Sequence, residues 1–578
     1  MNISVPTDLD PKKLSPYQKR HFVPENADLT DVDVVKGLYQ KLIQKDIQSA
    51  QDLEQWLLER SELEAALDQT GSVIYIRMTC QTDDCARSDA YKHFIETIEP
   101  AVKPLEDQLN KKYLQCSQKY SLDEKRYGVL TRAIKQDIEL FVKENIPLQT
   151  QISLLSQEYQ SLCGAMTVEF QGEEKTLPQM GKYLLEPDRA LRESAWRAVS
   201  ERRLKDKDKL DSLFDKMLAL RDQVAKNTGC ANFCEYKFKS LHRFDYTPDQ
   251  CKQYHDTIER AVVPLWRKIL QRRKQQMGLD ILRPWDLAVD PLGRAPLKPF
   301  ETVDQLIDGC KNIFKQTHPD LGSQFADMAD KGLLDLASRK GKAPGGYQST
   351  LSELRKPFIF MNAVGVDDDI RTLLHEGGHA FHALACAGDD LLDYRHAPME
   401  FCEVASMAME LLAGEYLDVF YNEDDKRRAV TAHFEGVVFT LVWVAIIDCF
   451  QYWIYENPTH NAQTRKEAWL EIQKRFGAGV VNWEGLEEAQ SYVWHRQLHI
   501  FEVPFYYIEY GIAQLGALQV WRNAKANWDK ALADYQAGLA LGGSRPLPEL
   551  YKTAGIKFDF SESTIAPLME DVAAQINI

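Results

Sequence analysis

His375-Glu376-Gly377-Gly378-His379 fits the HExxH template, and Glu403 follows twenty-four residues after His379. Residues i and i+4 of a helix share one face. Two imidazoles at that spacing can meet one metal ion at roughly 2.0–2.1 Å. Glu376 is one step round from His375 and points beside the metal. There it can take a proton from an attacking water and hand it to a leaving amine. A catalytic zinc wants three protein ligands and one open position. Glu403 is the best candidate for the third, with Glu400 and Glu410 as nearby competitors. These are the parts of a metallopeptidase. Two imidazoles and a carboxylate favour Zn2+ over other divalent ions, one per chain. The variant with a third histidine six residues after the second is excluded, because position 385 is Ala. His382 is turned away from the ligand pair and reads as a core or supporting histidine.

The ligands require a helix, and the surrounding residues provide one. Asp367-Asp368-Asp369 offers a cap and negative charge for the first turn. Ile370, Leu373, Leu374, Ala380, Phe381 and Leu384 recur at helical spacing. Gly377 and Gly378 each cost about 1 kcal/mol in a helix interior. Something must therefore approach the helix closely, either another helix or a substrate backbone.

Ahead of this helix lies Gly345-Gly346-Tyr347, then the apolar run Pro357-Phe358-Ile359-Phe360-Met361-Asn362. A strand there could offer its free edge to an extended peptide through main-chain hydrogen bonds, or be a plain core strand; spacing alone does not separate the two. Towards the C-terminus, Trp494-His495 and His499 lead into Phe505-Tyr506-Tyr507-Ile508-Glu509-Tyr510-Gly511. Amide hydrolysis develops an oxyanion, which a tyrosine hydroxyl or a histidine N–H can stabilise. Clustered tyrosines are also ordinary core residues.

The 578 residues are 44% hydrophobic, 27% charged and 10% aromatic, the composition of an ordinary globular protein. A net charge of −16 argues against nucleic acid and anionic membrane as partners. The eleven cysteines form no framework, so reduced thiols and a cytoplasmic location are expected. Met1–Asp8 lacks a secretory pattern. The longest apolar run, Val437–Ile447, is too short to span a bilayer and reads as a buried helix.

Long amphipathic helices are expected over 34–45, 50–67, 90–112 and 121–144. Thr167–Leu177 reads as a hairpin turning at Gly172, and Pro187-Asp188-Arg189 as a helix entry. A soft boundary near 165–190 divides the chain into an N-terminal helical lobe, 1–185, and a catalytic region, 186–578, with interleaving of the lobes left open. The proline-rich stretch from Pro284 to Pro299 should cross the surface.

These motifs together resemble the oligoendopeptidase F and thimet oligopeptidase family of zinc peptidases, more closely the oligoendopeptidase F branch. The residues that carry it are HEGGHAFH (375–382), MEFCEVASMAMELL (399–412), the GGY before PFIFMN, and HIFEVPFYYIEYG (499–511). It spans roughly residue 165 to the end. The resemblance implies a mainly α fold, with two helical lobes around a deep substrate channel and a small β-sheet beside the zinc helix. It implies that His375, His379 and Glu403 bind zinc and that Glu376 is the general base and acid. Glu410 would orient a ligand histidine. His499, Tyr507 and Tyr510 would face substrate and oxyanion, with Tyr510 the preferred donor and Tyr507 the alternate. Gly345, Gly346 and Tyr347 would bind the peptide. Gly377 departs from the family pattern, which has a larger apolar residue there.

The expected activity is internal cleavage of short unfolded peptides. Two alternatives stay open. One is a zinc carboxypeptidase holding the C-terminal carboxylate with Arg395 or Arg496. The other is a non-catalytic peptide-binding protein with a structural metal. Oligomeric state is not legible.

Overall fold

Helical periodicity over most of the chain becomes helix over most of the chain. The computed structural model describes residues 9–339, 341–343 and 345–578. Met1–Asp8, read above for a secretory signal, lies outside them. The elements that bear on the site are, in chain order, α1 (Ala50–Cys80), β1 (Thr167–Phe170), β2 (Glu173–Thr176), α2 (Lys207–Asn227), β3 (Leu334–Ala337), β4 (Tyr347–Leu351), β5 (Lys356–Ala363), α3 (Asp367–Ala385), α4 (Met399–Ala413) and α5 (Glu423–Glu456). The expected mainly α class is found.

The chain divides into two compact units, each assembled from three stretches. The first comprises Met1–Phe141, Lys298–Arg428 and Ala513–Phe558. Its N-terminal helices bury Leu38, Leu42, Leu53, Trp56, Ile98, Leu109 and Tyr113 in one cluster. Trp56 satisfies its indole N–H on the Leu42 carbonyl at 3.0 Å. Ser49 caps α1 by accepting from the Asp52 N–H. α1 runs well past the expected residue 67, because Val73, Ile76, Thr79 and Cys80 stay buried. The Phe94 ring packs where a Cβ at Gly71 would stand, 2.8 Å from its Cε1.

The same unit holds a three-stranded sheet in the order β3-β5-β4. β3 runs parallel to β5, and β4 antiparallel to it with Tyr347 opposite Phe360 and Leu351 opposite Lys356. The Phe358–Met361 run is therefore the central, buried strand, with no free edge of its own. The outer strands are β3 and β4, and β4 begins at Tyr347.

The second unit comprises Val142–Leu297, Ala429–Ile512 and Asp559–Ile578. β1 and β2 form the expected hairpin, turning through Gln171 and Gly172, both at positive φ. Asp188 caps the next helix through the Ala190 N–H. The proline-rich stretch reaches the surface at Ala288, Leu292–Ala295 and Lys298. Its start is interior: Asp286 is fully buried and takes Arg189 and Arg192, each at 3.0 Å through Oδ1. The apolar run Val437–Ile447 is part of a longer helix, α5. By length and composition that helix could cross a membrane, contrary to the expectation from the run alone. Its apolar run is mostly buried, as expected, with Val438, Leu441, Val444 and Ile447 wholly enclosed.

Candidate active site

α3 starts where Gly365 takes a positive φ of 94° and Asp369 reaches back over the turn. The Asp369 carboxylate accepts from the N–H groups of Val364, Gly365 and Val366 at 2.8–2.9 Å. It satisfies the main-chain donors of the turn leading into the helix, the N-cap Val366 among them. Asp367 has another task, accepting from the Tyr421 hydroxyl at 2.7 Å. Ile370, Leu373, Leu374, Ala380 and Phe381 anchor α3 in the core, and His375 and His379 project from a half-buried face.

The two glycines answer to different neighbours. A Cβ on Gly378 would lie 2.6 Å from Ser406 Cα and 2.7 Å from the Ala405 carbonyl oxygen. Gly378 is thus where α4 touches α3. A Cβ on Gly377 would meet the Phe314 ring at 2.5 Å, so that ring supplies the apolar bulk missing at position 377. The close approach of α4 delivers Glu403. Tyr535 holds α4 from another side, donating to the Ala405 carbonyl at 2.6 Å.

His375, His379 and Glu403 bring one donor atom each to within 4.8 Å of one another. Glu403 Oε2 lies 3.4 Å from His375 Nε2 and 3.6 Å from His379 Nε2. Two ligands about 2.05 Å from one zinc at the tetrahedral angle would stand about 3.3–3.4 Å apart. The donor set fits zinc in both chemistry and spacing. Glu410 accepts from His375 Nδ1 at 2.7 Å, which directs Nε2 towards the ligand cluster. Ser406 places its hydroxyl 3.1 Å from Glu403 Oε2. Glu400, the other competitor, is buried near Tyr551 and is not part of the cluster.

Burial raises the pKa of Glu376, and His375 and His379 work against that rise. A carboxyl pushed towards neutrality is what a proton carrier needs near pH 7. Glu403 is held well below the usual carboxylate range: burial opposes ionisation, and the two histidines overcome it. His382 is buried at the ring of Phe401 and its pKa falls to about 3, first through burial. It is a core histidine.

Gly345-Gly346-Tyr347 leads into β4. Asn362 donates to the carbonyls of Ala343 and Gly345 at 2.8 and 3.0 Å. A Cβ on Gly346 would stand 3.2 Å from Thr372 Cγ2, so this segment lies against α3 one turn before His375. Tyr347 stacks on Phe360 and pairs its hydroxyl with Thr79 at 2.6 Å.

In the second unit His499, Tyr507 and Tyr510 come together. The His499 ring centre is 4.9 Å from that of Tyr507 and 5.8 Å from that of Tyr510. Burial raises the Tyr507 hydroxyl to about 12, so it keeps its proton at neutral pH and can donate. The backbone that carries these rings is gripped by two buried arginines that sequence reasoning missed. Arg221, on α2, donates to the Ile500 carbonyl at 3.1 Å, to the Phe501 carbonyl, and to the Tyr455 hydroxyl at 2.7 Å. Arg243 donates to the Phe505 carbonyl at 2.6 Å and to Glu509 at 2.7 Å. Gln451 takes the Phe505 N–H at 2.7 Å. Phe505 has a φ of 65°, a left-handed conformation costly for a non-glycine residue, and these partners hold it there. Arg221 falls on the apolar stripe Phe214, Met217, Leu218, Val224, a readable sign that it is buried. Of the two arginines considered as carboxylate anchors, Arg395 donates to the Asp389 carbonyl and Arg496 lies over the Trp443 ring.

An HExxH helix packed against a glutamate-bearing helix, in a mainly helical chain, defines the class: a metallopeptidase. The chain belongs to peptidase family M3, matching it over residues 183–569, with residues 22–141 matching the Peptidase M3 N-terminal domain. It is 24% identical to an oligoendopeptidase F homolog of Borreliella burgdorferi over 423 residues, 68% of each chain. It is also 24% identical to oligopeptidase PepF of Bacillus subtilis, over 53% of this chain and 46% of that one. The solved structure of PZ peptidase A with an inhibitor superposes with a TM-score of 0.89 at 26% identity, covering 96% of this chain and 99% of that one.

Proposed function

We propose that this chain is a zinc-dependent, cytoplasmic endopeptidase that hydrolyses internal bonds of short unfolded peptides. The observation that carries the reading is the convergence of His375, His379 and Glu403 beside the buried Glu376. The names of the relatives, oligoendopeptidase F and oligopeptidase PepF, support the restriction to short peptides. The two family matches, ending at 141 and beginning at 183, support an N-terminal helical region to about 185 and a catalytic region from 186.

His375, His379 and Glu403 would hold one zinc ion, with Glu410 fixing the orientation of His375. Zinc, when bound, supplies Lewis acidity and makes water a competent nucleophile near neutral pH. Glu376 accepts the proton of the attacking water and delivers it to the leaving nitrogen. One water is consumed, the C–N bond breaks, and a carboxyl and an amine result. Gly345, Gly346 and Tyr347 would align the peptide main chain along the β4 edge. Tyr510, with Tyr507 as alternate, and His499 donate hydrogen bonds to the developing oxyanion.

The test is a mass-spectrometric cleavage map of peptides of graded length. Internal cuts confined to shorter peptides support the endopeptidase. Stepwise loss of C-terminal residues would move the assignment to a carboxypeptidase. Zinc-loaded protein that cuts nothing would make the metal structural.

A further inference from the structure

His499 belongs to a hydrogen-bond chain whose direction chemistry decides. Trp443, on α5, places its indole Nε1 3.0 Å from Gln497 Oε1. An indole N–H only donates, so the Gln497 atom facing it must be the amide oxygen. The other end of that amide is then its NH2 group, which only donates, and it stands 2.7 Å from His499 Nδ1. Nδ1 must therefore accept, and a neutral imidazole that accepts at Nδ1 carries its proton on Nε2.

The parts of this chain are held rigidly. Trp443 is nearly buried, packed edge-on to Trp469 and covered by the Arg496 guanidinium 5.5 Å from its ring centre. The backbone of Gln497 is pinned on both sides, its N–H donating to Trp494 and its carbonyl accepting from Ile500. Around the imidazole stand the phenol rings of Tyr506, Tyr507 and Tyr510 at 5.9, 4.9 and 5.8 Å between ring centres. Tyr507 keeps its proton at neutral pH, and the Gln497 amide carries no charge. Protonating Nδ1 would set an N–H against the Gln497 NH2 group, donor against donor, so the same contact disfavours the imidazolium.

We infer that Gln497, oriented by the Trp443 indole, is a positioning residue that keeps His499 neutral with its proton on Nε2, the form able to donate a hydrogen bond towards the substrate. This rests on the reading of His499 as an oxyanion or substrate donor. A glutamine is required for a stated reason. Glutamate is nearly the same shape but only accepts. It would still take the Trp443 N–H with one oxygen, and with the other would draw a proton onto Nδ1. That yields either the wrong tautomer or the imidazolium.

The experiment compares zinc-loaded wild-type, Gln497→Glu, Trp443→Phe and His499→Ala full-length protein. The His499 ring nitrogens are read by 15N NMR, assigned from the signals lost in His499→Ala. Wild type should show the proton on Nε2 alone from pH 6.5 to 8. Gln497→Glu should show Nδ1 protonated over that range. It should also lose at least about tenfold in kcat with KM changed less than about threefold, as expected for a transition-state donor. In a His499→Ala background the same substitution should cost nothing further. Trp443→Phe releases the amide and should give mixed tautomers with a smaller loss. A wild-type Nδ1–H tautomer would overturn the inference. So would a Gln497→Glu loss of equal size with and without His499, since that would be a structural effect. Wild-type kinetics in His499→Ala alone would instead sink the donor reading of His499, and with it the functional role of Gln497, while the NMR tautomer would still report on the chain itself.

Discussion

The ligand helices α3 and α4 and the His499–Tyr510 segment are both proposed to handle the substrate, yet they are built in opposite ways. The first is local: two helices close together in the chain pack tightly, most closely at Gly378, and every proposed ligand lies within them. The second is assembled from afar. Its strained turn at Phe505 is held by Arg221, Arg243 and Gln451, from three other parts of the sequence. Metal ligands need only a fixed spacing, which a helix pair supplies. Hydrogen-bond donors need orientation, and that takes partners on several sides.

The comparison breaks most sharply at Arg221. Arg221→Met leaves the Ile500 and Phe501 carbonyls and the Tyr455 hydroxyl without their donor, and should destabilise the protein by about 3 kcal/mol. Zinc content should be unchanged, because no ligand depends on that grip. Denaturant unfolding beside metal analysis checks both halves. Loss of zinc in this variant would show that the two regions are not independently built.

The converse lesion is Gly378→Ala. Its methyl would press on Ser406 and push α4, with Glu403, away from the histidines. Crowding of this kind costs about 2 kcal/mol, and zinc affinity should fall while the fluorescence of the His499 neighbourhood around Trp443 stays as it was. Substituting Gly377 should be milder, since only the Phe314 ring must yield.

His382 sharpens the local side. Its folded pKa of about 3 lies below the ordinary value of 6.5. Between those values the unfolded chain binds a proton that the folded chain does not. Stability therefore rises with pH through that window and is lost as pH falls below about 6.5. The loss at pH 5 relative to pH 8 comes to about 2 kcal/mol. His382→Leu should flatten this part of the profile in thermal melts at the two pH values.

The smallest expected effect is at Glu410. Glu410→Gln keeps a hydrogen-bonding atom near His375 but removes the charge, and should weaken zinc binding about tenfold. Competition with a chromogenic chelator measures it.

How much of this was legible follows the same division. The proposed ligand set was legible because HExxH obeys the period of a single helix and Glu403 sits on the next one. The glycine pair announced a close approach, though which neighbour met which glycine depended on Phe314, far away in the sequence. The cap was legible as the triplet of aspartates; that Asp369 is the one turning back on Val364–Val366 was not. Strand order was beyond reach: the apolar run Phe358–Met361 did not by itself say whether the strand is central or at an edge. The His–Tyr segment was visible only as composition. Its supports, Gln497 with Trp443 across 54 residues and Arg221 with Phe501 across 280, leave no periodic trace. Arg221 on an apolar stripe came closest to one.

The most direct test sets Glu376→Gln beside wild type, measuring zinc content and peptide cleavage on the same preparations. Glu376 is assigned to proton transfer and to no ligand position. The variant should therefore carry one zinc per chain and lose cleavage by about a thousandfold or more. Cleavage within tenfold of wild type, or loss of the zinc together with the activity, would contradict that assignment.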